Sequence, residues 1–409
     1  MCWIVSLGIL KSQECPRLVI KILLKIALKM RNVFIISAVL LVFVLVFLGV
    51  YNFVFKQENY SAQQPSQSVL EEVSIIPETA KQSPKQLQTI SSETVLGAVF
   101  DKKEKTILYC DPTSGTIWKI DPVAGEKQQV STTNIKDIKS LSWSSDRKSF
   151  LAMSEENGKT VFYRHDLDAQ EDFRLKSGLD SAAWDNLGVK IFYKYYDSVT
   201  GKRSLNVSNP DGNDWKYLAD IEHRNVSIAP VPLTSHASFW NFPDADEETK
   251  FSIIGTTGGE VKVLLTGKFG SDYLWSPGGS KALVSSSTER GGRAFTLGII
   301  NFSGEYTDLQ IPTLVSKCAW SEDEKNVYYA LPGGIPENAV MPNDYQKGNF
   351  NTKDTFWKID LETGKKERII EAEAIDGEFD SANLFLSSAE DALYFTNKID
   401  GKLYKINLK

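Results

Sequence analysis

The stretch LSWSSDRKSFLAM at residues 141–153 returns in altered form as CAWSEDEKNVYYA at residues 318–330. Each copy reads apolar-x-Trp-Ser, then a polar turn with Asp and Lys, then an apolar run that starts seven residues after the Trp. Asp and Ser cap tight turns, and alternating apolar side chains cover one face of a sheet. The phrase therefore predicts a β-hairpin that opens a repeated structural unit.

Seven copies of this hairpin occur along the chain and define units one to seven. The residue before each polar turn is the structural anchor of its unit, and in chain order the anchors are Phe100, Trp143, Trp184, Pro230, Trp275, Trp320 and Leu386. Apart from a last interval of 66 residues, the anchors are 41–46 residues apart, which is the period of four-stranded propeller blades. We expect an all-β, seven-bladed β-propeller, with six blades as the fallback if the weak Pro230 copy forms no unit.

The two ends of the repeat predict how the ring closes. Unit seven stops at Lys409 after its third strand, and KQLQTI at residues 85–90 resembles the outer strands EKQQV (126–130) and KKERII (365–370). We expect residues 85–90 to pair with residues 402–408. Such pairing removes the open sheet edges that a linear array would expose.

The repeat also supports a family resemblance. WSSDRKSF (143–150), WSPGGSKA (275–282) and WSEDEKNV (320–327) resemble the W-S-P-D-G-K repeat of TolB-type, WD-repeat-like bacterial β-propellers, and residues 393–408 resemble the repeat of YWTD-type propellers. The resemblance covers about residues 85–409. It implies a fold and no particular activity, because propellers host enzymes and scaffolds alike. Pro is present only in the Trp275 copy, and three of the seven units lack the Trp.

The N-terminal part of the chain predicts a membrane anchor. Residues 33–50, VFIISAVLLVFVLVFLGV, contain one polar residue and no charge, so a transmembrane helix over residues 33–55 is expected. A cleaved signal peptide is the alternative, but the span ends in bulky and polar residues where a small-x-small cleavage site should stand. Six basic residues precede the span and only Lys56 follows it closely. The positive-inside rule then predicts a single-pass signal anchor in the cell membrane, with a cytoplasmic N-terminus and an extracytoplasmic propeller.

Four segments follow from this interpretation: a basic cytoplasmic segment (1–32), the transmembrane helix (33–55), a flexible linker rich in Gln, Ser, Glu and Pro (56–84), and the propeller (85–409). The first segment is alternatively a misplaced translation start, with the true start at Met30 instead of Met1.

Residues after 55 include 40 basic and 51 acidic residues, a net charge of −11. Nucleic acid is therefore not an expected partner.

The sequence contains few of the parts that catalysis needs. It has no G-x-S-x-G motif, and we interpret its three histidines, His165, His223 and His236, as surface or loop residues. Cys110 and Cys318 belong to non-adjacent units, which predicts two buried unpaired thiols. The acidic run PDADEE at residues 243–248 is typical of a solvated loop. We expect no metal, no cofactor and no catalytic residue.

An insertion in unit six predicts a binding surface. LPGGIPENAVMPNDYQKGNFNTKD, residues 331–354, lies between the second and third strands of that unit, and long loops in compact domains are often functional. The equivalent loops of units three, four and five share its face. Aromatic and Arg side chains there are candidates for partner binding, namely Tyr195, Tyr196, Arg203, Trp240, Arg290 and Tyr345. The alternative is that Trp240 belongs to the core and the others are scattered.

Three functional hypotheses remain open. The first is a membrane-anchored, non-catalytic binding or scaffolding module of the cell envelope that contacts a protein, peptide or glycan. The second is a lactonase- or lyase-like enzyme with its active site at the central channel. Converging Asp, Glu, Asn or His side chains at the channel mouth favour the enzyme, and an apolar or plugged channel argues against it. A sensor that passes signals inward is the third, and it is weaker because at most 32 residues lie on the cytoplasmic side.

Overall fold

The computed structural model describes residues 86–408, and these residues are built almost entirely from antiparallel strands. Units one and two comprise β2 (Leu96–Asp101), β3 (Thr106–Asp111), β4 (Thr116–Ile120) and β5 (Lys127–Thr132), then β6 (Ile138–Trp143), β7 (Ser149–Glu156), β8 (Lys159–Asp166) and β9 (Glu171–Arg174). Units three and four comprise β10 (Leu179–Trp184), β11 (Ile191–Tyr196), β12 (Arg203–Ser208) and β13 (Lys216–Asp220), then β14 (Val226–Val231), β15 (His236–Asn241), β16 (Glu248–Gly255) and the long strand β17 (Lys262–Trp275).

The second half of β17 begins unit five, which continues through β18 (Lys281–Ser287), β19 (Phe295–Asn301) and β20 (Tyr306–Ile311). Units six and seven comprise β21 (Cys318–Trp320), β22 (Asn326–Gly333), β23 (Lys353–Asp360) and β24 (Lys366–Arg368), then β25 (Ser381–Leu386), β26 (Ala392–Asn397), β27 (Leu403–Asn407) and, from the other end of the described chain, β1 (Leu87–Thr89). One short helix, α1 (Asn343–Gln346), and two 3-10 turns (Val315–Lys317 and Ala372–Ala374) complete the described elements.

These strands form five four-stranded sheets and one seven-stranded sheet. The seven-stranded sheet arises because β17 pairs with β16 through residues 262–269 and with β18 through residues 269–275. The first strands of neighbouring units contact one another, as β2 does with β6 and with β25. Sheets whose first strands meet at a common centre are the arrangement of a β-propeller.

The anchor residues occupy the same register position in every unit. Each is directly paired with the residue seven positions later, across the turn that joins the first and second strands. The seven pairs are Phe100 with Ile107, Trp143 with Phe150, Trp184 with Ile191, Pro230 with Ala237, Trp275 with Ala282, Trp320 with Val327, and Leu386 with Leu393. The repeated seven-residue spacing is thus the length of one hairpin.

The anchor indoles join one unit to the preceding one. Trp143 Nε1 donates to Gly97 O at 2.6 Å, and Trp320 Nε1 donates to Leu274 O at 3.1 Å. Trp184 donates in the same way to Ser142 O at 3.0 Å. Each indole thereby buries its ring between two sheets while its polar N–H keeps a partner.

Apolar side chains fill the spaces between consecutive sheets. Seven of the eight hydrophobic clusters in the described residues each combine side chains from two neighbouring units, including one cluster between units seven and one. Cys110 and Cys318 lie buried and unpaired in two of them, which confirms the prediction for both thiols. The core is therefore a ring of inter-sheet contacts rather than one central mass.

The predicted closure is confirmed. Strand β1 is the outer strand of unit seven, and it pairs antiparallel with β27 through Leu87 to Ile406 and Thr89 to Tyr404. Leu87 is buried in the cluster that units six and seven share. The two ends of the described chain are therefore joined within one sheet, and the edge of β27 is covered.

The predicted membrane location is wrong as far as the structure tests it. The single α-helix in residues 86–408, α1, has four residues, and no helix of this region is long and apolar enough to cross a membrane. The predicted segments 1–32, 33–55 and 56–84 lie outside the described residues.

Closure by β1 predicts a specific effect of Leu87→Ala. Removing this buried side chain leaves a cavity beside Ile406, so the free energy of unfolding should fall by about 2–4 kcal/mol. Thr89→Ala changes an exposed residue of the same strand and should cost less than about 0.5 kcal/mol. Chemical denaturation of the full chain measures both. Equal effects of the two substitutions would show that β1 does not stabilise the ring.

Candidate functional site

The propeller has two faces that differ in what their loops carry. The turns that follow each anchor residue lie on one face, here called the turn face. The loops between second and third strands, together with the connections from one unit to the next, lie on the opposite face, here called the loop face. Unit six carries the largest loop-face insertion, the strap, which comprises residues 334–352 between β22 and β23.

The strap reaches across the loop face to unit four. Asn343 Nδ2 donates to Asp244 Oδ1 at 3.0 Å, and the backbone N–H of Ala245 donates to Asn343 Oδ1 at 2.8 Å. The loop residues Asp244 and Ala245 follow β15, so the strap spans from unit six past unit five. It also carries a small apolar core of its own, formed by Met341 and Tyr345 with Phe295, Leu314, Ile335 and Phe350.

Two glycines allow the strap to lie this close to the sheets. Gly270 and Gly292 have φ values of 59° and 68°, a region that side chains other than glycine seldom adopt. A Cβ atom at Gly270 would collide with Pro342 of the strap, and one at Gly292 would collide with the Met341 carbonyl. The path of the strap is therefore built into the sequences of units four and five.

A buried ionic network holds the C-terminal end of the strap. The Lys317 ammonium group, fully buried, donates to Asp354 Oδ2 at 2.8 Å, Asp380 Oδ1 at 2.7 Å and Thr352 Oγ1 at 3.0 Å. Ser381 completes the cage through its carbonyl, which accepts from Lys317, and its hydroxyl, which donates to Asp354. A lysine with several acceptors is the arrangement that makes a buried charge tolerable. We call these residues the Lys317 network.

Tyr345 joins the strap to this network. Its hydroxyl donates to Asp380 Oδ1 at 2.6 Å, and the Lys398 ammonium group stacks on its ring at 3.7 Å. Burial acts to raise the pKa of Asp380, but the Lys317 charge and the hydrogen bonds outweigh it, so that this pKa lies below its usual value. Burial, with the bond to Asp380, raises the pKa of Tyr345. Tyr345 therefore stays a neutral hydrogen-bond donor, and Asp380 stays ionised.

A cavity of ≈ 230 Å³ lies beneath the strap, between units four, five and six. Its walls include Asp272 from the first strand of unit five, Ser285 from the second strand, and Tyr345 from the strap. Trp240 Nε1 and the backbone N–H of Tyr273 donate to the same carboxylate oxygen, Oδ1 of Asp272, at 3.1 and 3.0 Å. Burial raises the pKa of Asp272 to about 6 because these two hydrogen bonds do not compensate for it.

A second cavity, of ≈ 670 Å³, opens at the turn face. First-strand residues of four units line it, including Val99, Leu274, Ala319 and Phe385, so it is the central channel. Its walls are mainly apolar, and charged side chains stand at its rim, where Lys102 pairs with Glu322. The two features that distinguish the enzyme hypothesis are both present in part, because the walls are mainly apolar while Glu322, Asn383 and Glu390 are among the lining residues.

The predicted binding residues fall into separate places. Tyr195, Tyr196 and Arg203 all lie in unit three, where the Arg203 guanidinium stacks 5.1 Å from the Tyr196 ring. Tyr195 precedes Tyr196 in the same strand and points to the opposite face of the sheet. On that face the Lys176 ammonium group lies 4.8 Å from the Tyr195 ring and 4.1 Å from the Trp215 ring. We call these five residues the unit-three patch.

The other three predicted residues do not extend this patch. Trp240 and Tyr345 are buried, because the Trp240 ring packs between units four and five and the Tyr345 side chain points from the strap to Asp380. Arg290 is exposed and donates to the carbonyl of Asp246, on the loop between β15 and β16. The structure thus brings two of the six predicted residues, Tyr196 and Arg203, to one surface.

The prediction that all three histidines lie at the surface or in loops is wrong for His165. It lies fully buried in β8, with Ser131 Oγ 2.7 Å from Nε2 and Asp172 Oδ1 2.7 Å from Nδ1. This Ser-His-Asp order resembles a catalytic triad, but Ser131 is buried and also bonded to Gln170. A nucleophile must reach its substrate. We interpret these hydrogen bonds as a structural contact that joins unit one to unit two.

The charged residues of the loop face escaped the sequence analysis. Lys317, Asp354, Asp380 and Asp272 belong to no motif, and Lys317 meets its acceptors 35 to 64 residues further along the chain. One signal was present. Lys317 and Asp272 each stand three residues before an anchor Trp, next to apolar strand residues, where an unpaired charge is costly.

Comparisons with known proteins agree with the fold. No protein-family model matches the sequence, and no curated protein matches it. Oligogalacturonate lyase from Vibrio parahaemolyticus aligns with 79% of this chain and 93% of its own, at 11% identity and a TM-score of 0.57. The β-propeller domain of Cps50 (Swd1) from Myceliophteria thermophila aligns with 79% of this chain and 100% of its own, at 12% identity and a TM-score of 0.53.

TolB from Acinetobacter baumannii is also similar, at 15% identity over 64% of this chain and 62% of its own, but its TM-score of 0.44 is too low to carry an argument. Together these likenesses show a β-propeller, and at that level they confirm the resemblance predicted from the Trp-Ser repeats. Identities of 11–15% show the fold alone.

The Lys317 network predicts a large effect of Lys317→Met. The substitution removes the only ammonium group of the described residues that bonds both Asp354 and Asp380, and leaves Lys398 4.0 Å from Asp380 alone. The free energy of unfolding should therefore fall by about 3–5 kcal/mol. Lys353→Met is the matched control, because Lys353 is exposed and pairs only with Glu378 at the surface; it should cost less than about 1 kcal/mol. Denaturant unfolding measures both, and similar small losses would mean that the network does not hold the strap.

Asp272→Asn should stabilise the protein at neutral pH. A carboxyl group whose pKa rises from 3.8 to about 6 on folding adds stability below pH 4 that is lost as pH rises through 6. Asparagine has no such dependence, so the variant should gain about 2–3 kcal/mol over the natural chain at pH 7 and nothing at pH 4. Thermal unfolding at both values tests this. A variant that is less stable than the natural chain at pH 7 would contradict the assignment.

Proposed function

We propose that the chain is a non-catalytic binding or scaffolding module built on seven blades, and that a protein or peptide partner docks on its loop face at the unit-three patch. Each unit then corresponds to one blade, and β17 contributes its two halves to blades four and five. The observation that carries the proposal is the patch itself, in which Arg203 stacks on Tyr196 on one side of the unit-three sheet and Lys176 stacks on Tyr195 and Trp215 on the other.

The chemistry of the patch suits an acidic and partly apolar partner. Tyr196 is 39% exposed, and its ring together with the Arg203 guanidinium offers a flat apolar surface next to a positive charge. Tyrosine, tryptophan and arginine are the residues that dominate binding energy at protein interfaces. A carboxylate of the partner would pair with Arg203 or Lys176, while an apolar side chain would cover the rings.

The rest of the loop face supports a docking role because it is held rigidly. Buried hydrogen bonds of the Lys317 network fix the strap, and Asn343 fixes it again at unit four. A surface that does not rearrange loses little conformational entropy when a partner binds. The proposed domain, residues 85–409, would then act as one rigid platform.

A glycan is the other partner that aromatic and cationic side chains recognise. The enzyme alternative draws on the likeness to oligogalacturonate lyase, one structure of which is a complex with manganese. Within residues 86–408, no three His, Cys, Asp or Glu side chains are placed to hold a metal ion together. The described residues therefore give no metal site that would favour the enzyme alternative over the binding function.

Crosslinking followed by co-purification tests the proposal on the full chain expressed in its own cells. A double variant, Tyr196→Ala with Arg203→Ala, should lower recovery of the specific partner at least tenfold, because it removes both the ring and the charge. Lys148→Ala, which changes an exposed lysine on the turn face, should leave recovery unchanged.

Three results are informative. Loss of one protein with the double variant alone supports the proposal. A set of crosslinked proteins that is the same for all three chains would overturn it. Binding to a glycan array that depends on the same two residues would assign the patch to a glycan instead.

A further inference from the structure

The cavity beneath the strap contains a carboxylate with no cation beside it. No Lys or Arg of the described residues pairs with Asp272, and both of its hydrogen bonds end on one oxygen, Oδ1. At pH 7 a carboxyl group with a pKa near 6 is mostly ionised. A negative charge in such a place is costly unless a positive group approaches it.

A second polar group of the same cavity also lacks a partner. Ser285 is fully buried, lines the cavity, and its hydroxyl makes no hydrogen bond to any described group. It stands on β18 directly opposite Asp272 in the strand pairing. Buried hydroxyls nearly always have partners. One wall of the cavity therefore carries a carboxylate without a cation and a hydroxyl group without a hydrogen-bond partner.

Other walls of the cavity carry further serine hydroxyl groups and two apolar side chains. Ser227 and Ser316 line the cavity from units four and six, and Phe242 and Pro342 line it on the loop-face side. Serine hydroxyls donate and accept, so they suit a ligand that carries hydroxyl groups.

We infer that this cavity binds a small polyhydroxylated amine, of the class of amino sugars and amino alcohols. The ligand ammonium group pairs with Asp272, and its hydroxyl groups bond to Ser285 and the neighbouring serines. A volume of ≈ 230 Å³ has room for about seven water molecules, and hence for one ligand of roughly monosaccharide size. The site shares no residue with the unit-three patch, so it holds or fails independently of the proposed function.

Binding of D-glucosamine and D-glucose to the full chain tests the inference. The two sugars differ by one amino group in place of one hydroxyl, so a site built around Asp272 should bind glucosamine at least tenfold more tightly. Isothermal titration calorimetry at pH 7 measures both affinities. Equal affinities, or no binding of glucosamine to folded protein, would overturn the inference.

Variants identify the site. Asp272→Asn keeps the shape of the side chain and removes its charge, so glucosamine affinity should fall to the level of glucose. Ser285→Ala should weaken glucosamine binding severalfold. Asp168→Asn, at an exposed carboxylate on the turn face, should change nothing. Thermal unfolding shows that each variant is folded, and a folded Asp272→Asn chain that still prefers glucosamine would place the amine elsewhere.

Discussion

The structure depends on the contact that each first strand makes with the preceding unit. The strand ends at an anchor residue, and in units two, three and six the anchor indole donates to a backbone carbonyl of the unit before it. The ring of the indole meanwhile fills the space between the two sheets. One residue type thus provides apolar burial and direction together, which leucine would not. Because this contact is repeated, each sheet packs against the preceding one in a similar way. The β1–β27 pairing then joins the end of the described chain to its beginning.

The loop face shows what such a ring permits. The sheets are stabilised between neighbours, so a loop can lengthen without disturbing them. The strap uses this freedom, but polar side chains hold it at its middle and at its C-terminal end. Lys317 and Asn343 hold it to the sheets, and Gly270 and Gly292 leave it room. The cavity under it follows from that geometry, because Pro342 and Tyr345 of the strap form part of its wall.

The repeating parts of the fold were predictable from the sequence, and the site was not. Trp143 and Trp320 recur in equivalent phrases, and KQLQTI resembles other outer strands, so local pattern predicted the hairpins and the closure. The Lys317 network joins residues from three distant stretches, and no local pattern relates Lys317 to Asp380. Trp240 was expected at a binding surface because it stands next to a loop, yet it is the last inward-facing position of β15. His165 follows an alternating strand pattern, and its two partners, Ser131 and Asp172, come from outer strands of different units.

Strand β17 gives the ring an uneven construction. It passes from the outside of unit four to the centre of unit five as one unbroken stretch, Lys262–Trp275, and hydrogen bonds tie it to both sheets. Units four and five consequently share one strand, whose register shifts between residues 269 and 272 as it passes from one sheet to the other. The closure between units seven and one is divided among smaller contacts: the three-residue pairing of β1 with β27, the hydrogen bond from Ile90 N–H to Leu403 O, and a shared apolar cluster. The described ring is therefore continuous through a strand on one side and closed by noncovalent contacts alone on the other.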